Sequence, residues 1–179
     1  AFRDLFSDQV LRPGDEVGVG RVCLLFTDLG GSTALYNDIG DASAYHLVRE
    51  HFAFLAGIVR EHDGAVVKTI GDAVMAAFSD PLDGVDAALT IQHRLADFNA
   101  SHDGPPITIK MGVHWGPAIA VTLNGQLDYF GATVNLVARL QGQSQGGDLI
   151  LSVPLQEEPG VAERLAGLTL DQHEMMLRG

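Results

Sequence analysis

Val22-Cys23-Leu24-Leu25-Phe26 is an unbroken apolar run, the pattern of a strand covered on both faces. It stops at Asp28, and Gly30-Gly31-Ser32-Thr33 follows as a loop, with a helix N-cap expected at Ser32 or Thr33. Between Asp41 and His62 the residues Tyr45, Val48, Phe52, Leu55 and Val59 recur at spacings of three and four, which predicts the inner face of a long amphipathic helix. Asp63-Gly64 ends it. The short runs Ala65–Ile70 and Ala73–Phe78 are joined only by Gly71-Asp72, the spacing of a tight hairpin. Pro81 opens a second helix, with Val85, Ala88, Leu89, Leu95 and Ala96 expected to face inward, and the stretch from Ile107 to Val113 alternates as a strand does.

The order strand, helix, strand, strand, helix, strand is that of a ferredoxin-like βαββαβ core. Beyond it the pattern predicts a strand near Ala118–Thr122, a helix from Gly131 to Gln143, a strand at Leu149–Val153 and a last strand near Leu168–Met176. The fold class is therefore α+β, a ferredoxin-like core with a C-terminal α/β extension. Residues 1–19, with the turn cluster Pro13-Gly14-Asp15-Glu16, read as a lead-in, and residues 20–179 as one domain.

Composition narrows the partners. Hydrophobic residues are 46% and charged residues 19% of the 179, enough to bury a core. Eleven Lys and Arg against 23 Asp and Glu leave a net charge of -12, which argues against nucleic acid and against an anionic membrane surface. The one cysteine, Cys23, permits no internal disulfide and lies within an apolar run, where it reads as core. No signal segment and no long apolar span are visible, so the expected location is cytoplasmic.

Several polar residues stand where packing does not require them. Asp28 ends the most apolar strand and Asp72 sits at the hairpin tip, strands that neighbour each other in this sheet. Each alone suits a cap or a turn, but together two carboxylates repel unless a cation lies between them. Lys68, one of two lysines beside Lys110, shares a strand face with Val66 and Ile70 and reads either as a ligand contact or as a lysine reaching past the sheet edge. In Val134–Leu140 only Asn135 and Arg139 are polar, and their spacing of four puts them on one face of a helix otherwise apolar all round. That helix is expected to be buried, with the pair aimed into a site, an interface or a fixed ion pair. An Arg fork suits phosphate oxygens. Gly30-Gly31-Ser32 can offer backbone N–H groups to phosphates. A G-x-x-x-x-G-K-[ST] loop is absent, and the histidines show no metal spacing: His46, His51, His62 and His93 read as helix-face residues and His114 as a loop residue.

Four stretches in order, Leu25–Thr33, Val67–Asp72, Gly112–Pro117 and Asp128–Arg139, resemble the class III nucleotidyl cyclase catalytic domain of the adenylate and guanylate cyclase family. The resemblance implies that Asp28 and Asp72, with the Leu29 carbonyl, hold two Mg²⁺ or Mn²⁺ ions. It implies that Lys68 and Asp128 read adenine, Asn135 orients the ribose and Arg139 stabilises charge at the α-phosphate, while Gly30, Gly31, Ser32 and Thr33 approach phosphates. Arg178 falls where the family usually has a Lys on the terminal phosphates, and the chain is expected to stop before the family's closing strand. The implied activity is conversion of ATP to 3′,5′-cyclic AMP and pyrophosphate. Both halves of the site are present in one chain, which implies a head-to-tail homodimer with shared sites, and regulatory domains outside these residues. The alternatives are a guanylate or dual-specificity cyclase, a cyclase-like dimerisation or nucleotide-binding module, and a diguanylate cyclase or polymerase-palm relative, which lacks the Asn135/Arg139 helix.

Overall fold

The computed structural model describes residues 17–123 and 125–174; Arg178 and the Pro13–Glu16 cluster lie outside them. The chain runs β1 (Val17–Leu29), α1 (Ser32–Ile39), α2 (Asp41–Glu61), β2 (Ala65–Ile70), β3 (Ala73–Phe78), α3 (Pro81–Ser101) and β4 (Ile109–Leu123). It continues with β5 (Gln126–Phe130), α4 (Ala132–Gln143), β6 (Leu149–Leu151) and two single helical turns, α5 (Val153–Gln156) and α6 (Val161–Arg164). The sheet order is β2-β3-β1-β4-β5, with β6 parallel to β4 and every other pairing antiparallel. Its first four strands have the order of a ferredoxin-like core, as the pattern predicts.

The continuous apolar run of β1 has a simple cause. Side chains alternate across a strand, and both faces of this one are covered. Cys23, Leu25 and Leu29 point into the larger core under α2 and α3, with Leu55, Ile58, Phe78, Val85 and Ile91. Val22 and Leu24 point the other way, into a smaller core closed by Met75, Ala77, Ala118 and Val137 of α4. The same alternation sends Asp28 out on the α4 face, beyond Leu24 and Phe26. Burial pushes the Cys23 thiol up, which keeps it an inert core residue.

Several expectations are corrected. The separate strand at Ala118–Thr122 is the second half of the 15-residue β4, which passes through Gly116-Pro117 without a turn because Pro117 is held in register with Arg21. β1 begins at Val17, inside the expected lead-in. On α2 the expected Leu55 and Val59 are buried and Val48 and Phe52 pack partly on the larger core, but Tyr45 is 67% exposed, and the most buried stripe runs instead through Ala44, Leu47, His51 and Ile58. Both stripes are periodic, and only the packing partner selects between them. On α3, Ala96 is exposed while Ala87 and Ile91 are buried. No strand forms across 168–174, the described part of the expected Leu168–Met176 strand. His114 lies within β4 rather than a loop, buried, with Nδ1 2.6 Å from the Ser152 hydroxyl.

Gly112 sets the distance between α4 and the sheet. A Cβ there would stand 2.8 Å from the Gln141 Cα and 2.9 Å from the Val137 carbonyl oxygen, both backbone of α4. The helix that carries Asn135 and Arg139 therefore lies directly on the β4 backbone.

Candidate active site

Asp28 leaves the end of β1 and Asp72 the β2–β3 turn, where Gly71 supplies the positive φ of 63° that the turn needs. The two carboxyls come within hydrogen-bonding reach of each other. Partial burial, then the hydrogen bond and the charge of Asp72, push Asp28 up to about 6, while a hydrogen bond from the Leu29 backbone and the charge of Lys110, its cross-strand partner, pull the other way. Burial also pushes Asp72 upward, but hydrogen bonds from Ser32, Tyr36 and Asp28 outweigh it and hold this carboxyl below its ordinary value. Of the two acids forced together, Asp28 is thus the one that takes up a proton first as pH falls, and Asp72 the one that stays ionised.

The carboxylates have the chemistry of a hard divalent cation site. Among the described residues no group of three or more His, Cys, Asp or Glu could hold a metal, so two carboxylates and a backbone carbonyl are what this edge can supply. The Leu29 side chain carries no ligating atom, so its carbonyl is the only ligand it could give. Mg²⁺ is commonly held in this way, with substrate phosphates and water completing the octahedron.

The glycine loop differs in detail from expectation. The helix cap is neither Ser32 nor Thr33 but Gly31, in the left-handed region at φ 68°, with no side-chain cap. The Ser32 hydroxyl turns to Asp72 instead. The Gly30 N–H donates to the Thr108 carbonyl at 2.8 Å, so it is taken and cannot also face a phosphate. The N–H groups of Ser32 and Thr33 open α1 and have no partner within the helix.

A second cluster forms from the two ends of the sheet. Lys68 on β2 and Asp128 on β5 belong to opposite edge strands, yet the Lys68 ammonium donates to Asp128 Oδ2 at 2.7 Å. The sheet curls until its edges meet. The ammonium also lies 5.8 Å from the centre of the Phe130 ring, and the Tyr129 N–H donates to Asp128 Oδ1 at 2.8 Å, which fixes the carboxylate. Lys68 shares the expected face with Ile70 but not with Val66: a register shift between Val66 and Lys68 breaks the alternation there, leaving Val66 and Ile70 exposed while Val67 packs on the smaller core.

Asn135 and Arg139 stand one turn apart on α4, but the helix is not buried all round. Thr133, Val137 and Leu140 make its buried face, Asn135 is exposed and Arg139 half-buried. The pair faces outward from the smaller core, on the same side of the sheet as Asp28.

Three residues near the carboxylates were not singled out from the pattern. Tyr36 donates its hydroxyl to Asp72 Oδ2 at 2.9 Å, and Lys110 faces Asp28 across β4. The spacing of four between Ser32 and Tyr36, on a helix that starts just after Asp28, was the available signal for the first. His51, fully buried on α2, is lowered to about 4 by burial against the opposing charge of Asp72, so it is neutral at physiological pH. Nothing in an amphipathic pattern separates it from a surface histidine.

Residues 16–157 match the model of the adenylate and guanylate cyclase catalytic domain. An adenylate cyclase of Lachancea kluyveri is 33% identical over 84% of this chain, and the match spans only 9% of that protein's length. Among solved structures, the catalytic core of a rhodopsin-guanylyl cyclase with converted specificity, in complex with ATPαS, has a TM-score of 0.75 at 21% identity, over 92% of this chain and 94% of that one. The adenylyl cyclase CyaB from P. aeruginosa has a TM-score of 0.70 at 22% identity, over 79% and 81% of the two chains. With this fold, and with most of its length matched by the family's model, the chain belongs to the adenylate and guanylate cyclase catalytic domain family.

Proposed function

We propose that the chain is an adenylate cyclase domain, converting ATP to 3′,5′-cyclic AMP and pyrophosphate at sites shared across a head-to-tail homodimer. The observation that carries the choice of purine is the Lys68–Asp128 pair, 2.7 Å apart and backed by Phe130. Adenine offers an amino donor to the Asp128 carboxylate and a ring-nitrogen acceptor to the Lys68 ammonium. Guanine presents a carbonyl oxygen where adenine has its amino group, and an acceptor against a carboxylate is left unpaired. Names of relatives and fold neighbours include both adenylate and guanylate cyclases, so the choice of purine rests on this pair.

The other residues take consistent parts. Asn135 hydrogen-bonds the ribose and sets the 3′-hydroxyl toward the α-phosphorus. Arg139 places its charge on the α-phosphate, where negative charge builds as pyrophosphate departs. The first N–H groups of α1, at Ser32 and Thr33, receive phosphate oxygens. Asp28, Asp72 and the Leu29 carbonyl would hold two Mg²⁺ or Mn²⁺ ions, which lower the pKa of the attacking hydroxyl and neutralise phosphate charge. The net charge of -12 does not prevent ATP binding, because distant surface carboxylates are screened within about 8–10 Å at physiological salt. Arg178 on the terminal phosphates, a cytoplasmic location and regulatory domains beyond this segment belong to the same proposal. No described helix is long and apolar enough to cross a membrane.

The deciding experiment is cyclic nucleotide formation from ATP and, separately, from GTP with Mn²⁺. Cyclic AMP should form with kcat/KM for ATP above that for GTP by roughly 10²-fold or more. Equal or greater turnover of GTP overturns the adenine reading. No product from either nucleotide, in a chain shown to be dimeric, favours a nucleotide-binding module.

The raised Asp28 gives a second, independent check on the cation site. Its native value of about 6 lies above the ordinary 3.8, so without a cation the contribution of Asp28 itself to stability is lost as pH rises through that window, while buried His51, lowered to about 4, contributes in the opposite direction with or without the ion. A bound cation favours the ionised form of Asp28 and opposes its loss. The rise in Tm on adding Mn²⁺ should therefore be larger well above pH 6 than well below it, by differential scanning fluorimetry. A rise independent of pH places the ion elsewhere.

A further inference from the structure

We infer that Tyr36 is a positioning residue for the cation site: its hydroxyl fixes one oxygen of Asp72 and leaves the other aimed at the cation. This rests on the reading that Asp28 and Asp72 hold divalent ions. The Tyr36 hydroxyl donates to Asp72 Oδ2 at 2.9 Å, within a part-buried contact that spans 36 residues of sequence. Ser32, one turn earlier on the same helix face, hydrogen-bonds the same carboxyl. α1 thus presents two hydroxyls, at positions i and i+4, to a single aspartate.

The choice of hydroxyls matters chemically. A carboxylate can also be held by Lys or Arg, but a cationic partner would neutralise the charge that must attract a divalent ion. Lys110 acts on Asp28, and Lys68 is taken by Asp128. Asp72 is held by neutral donors only in the contacts described, so it keeps its full charge while its orientation is set. Groups of this kind, which touch a ligand without touching the metal, are commonly worth about 10–100-fold in metal affinity. A looser interpretation is that Tyr36 merely tacks α1 to the hairpin. The helix has no fully buried residue, and Leu35 and Ile39 pack on the larger core only in part. The two roles predict different measurements.

The test is a Mn²⁺ titration followed by the electron paramagnetic resonance of the free ion, on the whole chain with no nucleotide. Wild type, Tyr36→Phe and Asp72→Asn are compared, and thermal unfolding in EDTA is recorded for each. Tyr36→Phe keeps the ring and loses the hydroxyl. The expected result is Mn²⁺ binding weakened about tenfold or more in Tyr36→Phe, with an unfolding temperature in EDTA close to wild type. In turnover, the Mn²⁺ concentration for half-activation rises by a similar factor, while KM for ATP at saturating Mn²⁺ stays put. If Asp72→Asn loses Mn²⁺ but Tyr36→Phe binds it as tightly as wild type, or more tightly, the role of Tyr36 is overturned and the cation site stands. The same holds if only unfolding in EDTA changes, since that is the mark of a purely structural contact. If Asp72→Asn binds as wild type does, the cation reading itself fails and takes the inference with it.

Discussion

An Asp72→Ala chain mixed with an Arg139→Ala chain is expected to regain cyclase activity that neither has alone. Two clusters are organised separately within one chain. Asp28, Asp72, Ser32 and Tyr36 gather around the β2–β3 turn, and Lys68, Asp128 and Phe130 gather where the sheet edges meet. Under the shared-site proposal, the carboxylates of one chain work with the Lys68, Asp128, Asn135 and Arg139 of its partner. Loss of Arg139 removes charge stabilisation that matters most in the transition state, which typically costs about 10²–10³ in rate, or roughly 3–4 kcal/mol. Loss of Asp72 removes a ligand from the cation site and should cost at least as much. In an equal mixture about half of the dimers are mixed, and each has one intact site and one doubly damaged site, so activity near a quarter of wild type is expected. The measurement is cyclic AMP production against mixing ratio, with dimer exchange confirmed by differently tagged chains. Mixed dimers with activity no greater than the two single mutants would show that each site is built within one chain.

Gly112→Ala is expected to cost the chain about 3 kcal/mol of stability, near the upper end of what overpacking commonly causes. The reason is that the new Cβ meets backbone rather than a movable side-chain end: the Gln141 Cα at 2.8 Å and the Val137 carbonyl oxygen at 2.9 Å, besides the Gln141 nitrogen. Relief requires α4 to lift from β4. Val137 would then leave the smaller core, and Asn135 and Arg139 would move with the helix. Chemical denaturation should show a lower midpoint at an unchanged slope, and activity should fall even at temperatures where the variant is fully folded. A variant that unfolds like wild type would mean that α4 does not lie on the strand as closely as described.

The larger part of the fold was legible because its signals are local. The two-face apolar run of β1, the helix spanning Asp41–Glu61, the hairpin over Gly71-Asp72 and the start of α3 at Pro81 follow from side-chain period, turn chemistry and proline geometry, each read within a few residues. The misreadings also have physical causes. Gly116-Pro117 looks like a break, and only pairing with β1 keeps it in a strand. Tyr45 and Ala44 both lie on periodic stripes, and the sheet chose the second. Asn135 sits in an apolar segment yet is exposed, because α4 covers the sheet with one face only.

The candidate site divides in the same way. The identities of Asp28, Asp72, Lys68, Asp128, Asn135 and Arg139 could be read from residue type, spacing and family resemblance. Their grouping could not. Lys68 meets Asp128 across 60 residues of sequence because the sheet curls, and Tyr36 reaches Asp72 across 36 residues because α1 starts just after Asp28, beside the hairpin turn. The sequence by itself determined most of the elements, though not β5, together with the family and the chemical types available, since these depend on short-range pattern. Only the tertiary structure decided which carboxyl is held by hydroxyls and which faces a lysine, because contacts between distant segments are set by how the sheet twists and how closely its helices approach.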